Sequence, residues 1–223
     1  MLWLVDHRMK MVHGWQFPDH EKHLPEWLAH PKNQLVMNGR IAYQGRKQAA
    51  VLRRCQQKRT AVDVGGHVGL WSFNFAHAFE RVHAFEPVAE HRDCFIANVP
   101  NGNVTLHALA LGAAPGHVSM QTEAGSSGNT TIAGGGQIEM VTLDSLALRD
   151  VDLIKIDCEG YEENVLRGAR DTLFQWKPVV IVEQKRDMAN RFGLKVLGAV
   201  EYLTDAGYRV AEEISGDYIM VPA

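Results

Sequence analysis

The chain has 223 residues, 46% of them hydrophobic and 22% charged, with a formal net charge of −3. That is an ordinary globular composition, long enough for one α/β domain with an N-terminal addition and a full core. Three widely spaced cysteines, Cys55, Cys94 and Cys158, exclude a disulfide framework and a cysteine-paired zinc site and point to a reducing, cytoplasmic setting. The apolar run 2–5, closed by Asp6, Arg8 and Lys10, is too short for a signal peptide or a membrane span.

Charge is unevenly spread. Residues 1–60 hold 11 Lys+Arg against 4 Asp+Glu, and residues 61–223 hold 12 against 22. A basic N-terminal part suits either an anionic partner or a solvated helix face. Residues 1–43, with Trp3, Trp15, Trp27 and three prolines, are expected to form short elements packed on the main domain, which is taken as 44–223. Gln44 to Lys58 reads as a helix with Ala49, Val51, Leu52 and Cys55 inward and Arg46, Lys47, Arg53, Arg54 and Lys58 outward.

Residues 60–64 form a short apolar run holding Asp63, and a glycine turn follows. A helical pattern then opens at Val68 with Trp71, Phe75 and Phe79 on one face. Residues 81–86 and 103–108 predict the next two strands. Residues 117–122 predict an added strand, 124–136 a flexible polar loop, 137–143 an edge strand and 144–148 a short helix. A buried strand over 151–157 leads to a helix over 162–174 with Val165, Leu166, Ala169 and Leu173 inward. A strand over 177–183, a helix over 194–206 and a hairpin of 208–214 with 218–221 close the chain. Strands alternating with helices imply a parallel sheet, and the closing hairpin adds one antiparallel strand.

The turn reads Asp63-Val64-Gly65-Gly66-His67-Val68-Gly69. A strand-to-helix junction presents backbone N–H groups to a ligand, and glycines allow close approach. A dinucleotide fingerprint needs glycine at the first, third and sixth places; from Gly65 those are Gly65, His67 and Leu70, so it fails, and no Gly-Lys-Ser/Thr phosphate loop occurs. The turn resembles the first motif of S-adenosylmethionine-dependent methyltransferases; the bland alternative is a generic strand-to-helix turn.

In open α/β sheets ligands sit at the carboxyl ends of the strands, and Asp63, Glu86, Asp157 and Glu183 each fall at such an end. Glu86, followed by Pro87, suits the two hydroxyls of a ribose. Asp63 suits the loop and the amino end of a methionine moiety, and Ala108 and Leu109 suit the flanks of an adenine. Val68 completes the loop's candidate cofactor contacts with Gly65, Gly66, His67 and Gly69. Asp157 and Glu159, in Lys155-Ile156-Asp157-Cys158-Glu159-Gly160-Tyr161-Glu162, follow the strand where the reactive end of the ligand would lie.

Several segments together, 61–72, 82–87, 142–146, 152–162 and 166–169, resemble the FkbM family of methyltransferases in sequence and order, and Ile181-Val182-Glu183 fits its fifth strand. The resemblance spans residues 60 to 185 and implies a Rossmann-like class I S-adenosylmethionine fold, a mostly parallel seven-stranded sheet with an antiparallel last strand. It also implies O-methylation of a hydroxyl on a sugar or other small metabolite. His67, Trp71 and Gln184-Lys185 depart from residues common in the family.

For a hydroxyl acceptor, Asp157 or Glu159 is the expected base, with Lys155 tuning their charge and Glu183 the second candidate. Asp157 with Glu183 also suits a divalent metal. His7, His13, His20, His23 and His30 are expected at surface or packing positions, while His67 is expected at the ligand. Ser126, Ser127, Asn129 and Thr130 in the 124–136 loop offer polar groups to a substrate. The competing readings are a ribose 2′-O nucleic-acid methyltransferase, favoured by the basic N-terminal part; a nicotinamide oxidoreductase, disfavoured by the missing glycines; and a non-catalytic nucleotide-binding module. No Asp/Asn-Pro-Pro-aromatic or Pro-Cys motif for base methylation occurs.

Overall fold

The computed structural model describes residues 8–123, 126–185 and 187–223. The expectations for residues 1–7, Ala124, Gly125 and the side chain of Asn129 lie outside the described residues.

The chain opens with a hairpin of β1 (Met9–Val12) and β2 (Trp15–Pro18), helix α1 (His23–Ala29), and the two-residue strands β3 (Val36–Met37) and β4 (Arg40–Ile41). Helix α2 (Gly45–Leu52) leads to β5 (Thr60–Val64), α3 (Ser72–Ala78), β6 (Arg81–Phe85), α4 (Ala89–Asn98) and β7 (Val104–His107). Four strands follow: β8 (Ala110–Leu111), β9 (Gly116–Glu123), β10 (Ser126–Gly134) and β11 (Ile138–Val141). Then come β12 (Val151–Ile156), α5 (Glu162–Arg167), α6 (Arg170–Trp176), β13 (Val179–Glu183), α7 (Gly198–Asp205), β14 (Tyr208–Ile214) and β15 (Asp217–Pro222).

The central sheet has seven strands in the order β14-β15-β13-β12-β5-β6-β7. Only β15 runs antiparallel to its neighbours. Strand order reverses between β5 and β12, which puts the crevice for a ligand above their carboxyl ends. β5 is buried along its whole length, so Thr60-Ala61-Val62-Asp63-Val64 reads as a continuous run rather than an alternation. Ala61 and Val82 face a core with Phe75, Phe79 and Phe95; Val62, Val64 and Ile154 face one with Leu166, Leu173 and Leu203. Each such buried Val, Leu, Ile or Phe side chain contributes about 1.5–3 kcal/mol.

The N-terminal elements join the first of these cores. Trp15 and Phe17 are fully buried in it, and Trp15 meets Phe73 edge to face at 5.3 Å. Asn98 exchanges hydrogen bonds with the backbone of Gln16 (2.7 and 2.9 Å) and donates to the carbonyl of Val68 (2.8 Å). The extension is thereby tied to the turn after β5.

Several expectations change. Residues 126–134 are not a loop but β10, paired antiparallel with β9 across a register shift between Ser126 and Thr130. The β-branched Thr130-Thr131-Ile132 outweigh the flanking glycines. The strand at 138–141 is not an edge: it lies inside a second sheet ordered β10-β9-β11-β8. The helix expected over 44–58 stops at Leu52, and Lys47 is buried rather than outward, paired with Asp217 at 2.9 Å. Gln48 and Ala50, not Ala49, are among its fully inward residues. The helix expected over 162–174 breaks between Arg167 and Arg170. There the Gly168 carbonyl accepts from Asp144 N–H (3.0 Å), and the Asp144 carboxylate caps α6 through the N–H groups of Asp171 and Thr172 (2.9 Å each). A Cβ at Gly168 would collide with the Gly112 carbonyl. The last helix begins at Gly198 rather than Leu194.

Candidate active site

The turn after β5 is held by its own hydrogen bonds. Gly65 and Gly66 N–H both donate to the Phe85 carbonyl (3.1 and 3.0 Å), and Gly69 N–H donates to the Gly66 carbonyl (2.8 Å). Gly65 lies at φ +75°, and a Cβ there would strike the Asp157 carbonyl oxygen. Gly69 lies at φ +88°, with Val99 Cγ2 2.5 Å from where its Cβ would be. Both positions therefore require glycine. The expectation that this turn offers its amides to a ligand needs correction, since those of Gly65, Gly66, His67 and Gly69 are engaged within the chain. What the glycines provide is bare backbone.

Beneath the turn, Lys155 is fully enclosed. Its Nζ donates to the carbonyls of Gly65 (2.7 Å) and Val64 (3.2 Å) and lies 3.0 Å from Asp63 Oδ1. Ser72 donates to the other Asp63 oxygen at 2.6 Å. Burial alone would depress the Lys155 ammonium; Asp63, then Asp157, reverse that and raise it. Lys155 and Asp63 thus fix the floor of the turn.

Glu86, at the end of β6, accepts from the N–H groups of His67 and Val88 (2.8 Å each), and His91 Nδ1 lies 3.3 Å from its Oε1. A carboxylate has about four acceptor positions, so room remains for a ligand. His67 sits at φ +47°. Its ring meets His91 at 4.5 Å, and its Nε2 lies 2.8 Å from Ser127 Oγ on β10. Ser127 donates its single hydroxyl proton to the buried carboxylate of Glu21, so it accepts from His67 Nε2–H. Burial, then the neighbouring His91, hold His67 well below the usual imidazole range, which keeps the ring neutral.

At the ends of β12 and β13, Asp157, Glu159 and Glu183 bring carboxylate oxygens within 4.8 Å of one another. Burial and Asp157 push the Glu159 carboxyl up to about 7. Burial and Asp157 also raise Glu183, against the opposing pull of Lys185, whose ammonium contacts Glu183 and lies 3.3 Å from Asp217. Tyr43 closes this end, and burial, then Asp157, raise its hydroxyl.

A cavity of about 740 Å³ runs between the two ends. Of the expected contacts, Gly65, Gly66, His67, Glu86, Pro87, Leu109, Lys155, Asp157, Glu159 and Glu183 line it. Asp63, Val68, Gly69 and Ala108 do not: Asp63 and Val68 are buried behind the turn, and Ala108 is exposed while Leu109 takes the wall. His23, expected at the surface or in packing, also lines the wall, as do Ser126, Ser127 and Thr130.

The methyltransferase FkbM domain model matches residues 63–210, more than half of the chain. The chain belongs to the FkbM methyltransferase family. Among solved structures it is similar to the methyltransferase FkbM from Methylobacillus flagellatus KT, at 19% identity and TM-score 0.51, over 73% of this chain and 43% of that one. The chain thus spans less than half the length of that relative. It is also similar, at 14% identity and TM-score 0.49, to a precorrin-6y C5,15-methyltransferase from Geobacter metallireducens GS-15, over 88% of this chain and 94% of that one. No curated protein matches. Family and fold together make the central sheet that of the Rossmann-like methyltransferases.

Within this FkbM-family chain, several wall residues escape a reading of the sequence. His91 follows Phe95 backward by one helical turn, so its buried face is legible, but its contact with Glu86 is not. Tyr43, Lys185 and Glu21 carry no local signal; tertiary packing alone brings them to the cavity or its rim. Among the described residues no helix is long and apolar enough to cross a membrane.

Proposed function

We propose that this chain binds S-adenosylmethionine and methylates a hydroxyl on a sugar or other small polar metabolite. The observation that carries the reading is the electrostatic character of the cavity. The turn amides of Gly65, Gly66, His67 and Gly69 are engaged, while Glu86, Asp157, Glu159 and Glu183 line the wall. Such a wall suits a ligand that carries a sulfonium and an ammonium and no phosphate. It suits the pyrophosphate of a dinucleotide or the backbone of a nucleic acid poorly.

The residues fit the cofactor. Gly65 and Gly66 line the cavity with backbone alone, Glu86 offers remaining acceptor positions to ribose hydroxyls, and Pro87 and Leu109 offer an apolar surface to adenine. When bound, S-adenosylmethionine supplies an electrophilic methyl group. The chain's own work is then to position the acceptor, exclude water and take a proton. Glu159, raised to about 7, is matched to accept the hydroxyl proton at neutral pH, and Asp157 beside it orients the acceptor. Glu183 orients the acceptor, and Lys155 acts from beneath as a positioning residue. The hairpin of β9 and β10 and the described part of the N-terminal extension, residues 8–43, packed on a domain over 44–223, form the wall that selects the acceptor.

The convergence of three carboxylates favours a second arrangement of the same reaction, in which a divalent cation lies between Asp157, Glu159 and Glu183 and lowers the acceptor's pKa. Chelator treatment followed by Mg²⁺ or Mn²⁺ addition separates the two. Calorimetry with S-adenosylhomocysteine against NADH tests the cofactor: binding of the former only is expected, and its failure to bind would sink the reading. Labelled methyl transfer into cell extracts identifies the acceptor.

A further inference from the structure

The cavity wall contains a buried hydrogen-bond donor with nothing to donate to. Trp71 lines the cavity, is 4% exposed, and its indole Nε1–H has no acceptor among the described residues. An indole nitrogen only donates, and leaving such a group unpaired in a protein interior costs about 1–3 kcal/mol. The ring itself is fixed by Phe75, edge to face at 5.7 Å. The orphan donor is therefore held in place rather than free to turn toward solvent.

Its position along the cavity follows from Gln48. The Gln48 side-chain amide donates to the carbonyls of Tyr43 (2.7 Å) and Leu70 (3.3 Å), which draws the residue before Trp71 up against Tyr43. Tyr43 belongs to the Asp157 and Glu183 end, whose charge its hydroxyl feels. The Leu70–Trp71 backbone thus lies on the Tyr43 side of the cavity, whereas His67 and His91 gather around Glu86 at the other end. At the reactive end the cofactor's ammonium and sulfonium match the acids. Its carboxylate does not: Asp157, Glu159 and Glu183 would repel it, so it needs a donor set apart from them. Lys155 is committed to Asp63 and the turn carbonyls, Lys185 to Glu183 and Asp217, and Arg191 stands with Glu159, whose carboxyl its charge pulls down.

We propose that Trp71 Nε1–H is the donor that takes the carboxylate of the cofactor's amino-acid moiety. The assignment rests on the S-adenosylmethionine reading above and adds a contact to it. Trp71 thereby distinguishes a cofactor carrying its amino acid from adenosine thioethers that lack it.

The test uses the full chain, S-adenosylhomocysteine and 5′-methylthioadenosine, which shares the adenosine thioether but has no carboxylate. In calorimetry, Trp71→Phe is expected to weaken S-adenosylhomocysteine about 10- to 100-fold, the range for a hydrogen bond to a charged group. It is expected to leave 5′-methylthioadenosine within twofold. In the wild-type chain labelled with ¹⁵N-tryptophan, one of the five indole N–H resonances is expected to move downfield with the first ligand and stay with the second. Equal weakening of both ligands, or no weakening of either, would overturn the assignment. If Trp71→Phe does not fold, the wild-type spectrum decides: an indole set that responds identically to both ligands overturns it. Failure of S-adenosylhomocysteine to bind the wild-type chain would instead count against the cofactor reading itself.

Discussion

At the β5–β6 end of the cavity, the amides of Gly65, Gly66 and His67 are engaged, both oxygens of Glu86 hold backbone N–H groups or His91, and His67 is pinned to Ser127. At the β12–β13 end, three carboxylates share 4.8 Å, and burial raises two of them above their ordinary range. One end is a hydrogen-bond network around Glu86, with neutral His67 at its centre and acceptor room left on the carboxylate; the other is a crowd of like charges. A preorganised network gains by staying still, which suits holding a cofactor. Carboxyls with raised proton affinity gain by trading protons, which suits the reaction. On the proposed reading the difference separates binding from turnover by place, and substitutions can test that separation.

The largest expected effect falls on turnover alone. Asp157→Asn should abolish methyl transfer, and Glu159→Gln should slow it by roughly 100- to 10,000-fold, while S-adenosylhomocysteine binding in each stays measurable. Full activity in Asp157→Asn would end the assignment of that end to catalysis. The pH profile carries the same signature. Glu159 must be ionised to accept a proton, so kcat should rise with pH through about 7 and flatten above it. In Glu159→Gln that rising limb should disappear.

Next in size, Gly65→Ala should weaken S-adenosylhomocysteine by more than about 100-fold. The new methyl group meets the Asp157 carbonyl, and φ +75° adds strain of about 1–2 kcal/mol. Circular dichroism on the same sample separates lost binding from lost fold. Glu86→Gln should cost about 10- to 100-fold in cofactor affinity, because a hydrogen bond to a charged acceptor is worth about 1.5–3 kcal/mol. An unchanged Kd there would erase the distinction between the two ends.

The smallest effect on binding is expected from Ser127→Ala, which cuts the link between Glu21 and His67. Kd should move by about threefold or less, while stability falls by about 1–3 kcal/mol, because the buried Glu21 carboxylate loses a donor. Thermal unfolding reads it. The His67 ring contributes its own pH dependence. Its folded pKa lies below the unfolded value near 6.5, so the unfolded chain binds the extra proton. Its contribution to stability is therefore whole above roughly pH 6.5 and is lost as pH falls toward the folded value.

Much of this was legible in the chain itself. The continuous apolar runs at Thr60–Val64, Val151–Ile156 and Val179–Glu183 specify buried parallel strands, because a strand covered on both faces has no polar side to show. The carboxylates at their ends, with the glycines at 65, 66 and 69, mark the cavity, and the order of motifs marks the family. Local signals sufficed where the cause is local: a turn at positive φ needs glycine wherever it occurs. They failed over 126–134, where glycine and serine read as loop and only pairing with β9 makes a strand. They failed at Gly168, whose helix break depends on Asp144 and Gly112 from elsewhere in the chain.

The sequence by itself thus determined the sheet, the glycine turn and the acids at the strand ends, since each rests on the chemistry of consecutive residues. Only the tertiary structure decided what stands around them. Glu21 meets Ser127 across a separation of 106 residues and His67 meets it across 60; Trp71 is left without an acceptor among the described residues, and Lys47 is drawn inward to Asp217. Hydrogen bonds and ion pairs of that span leave no periodicity in the sequence, because their partners are chosen by packing and by the cost of burying an unpaired polar group.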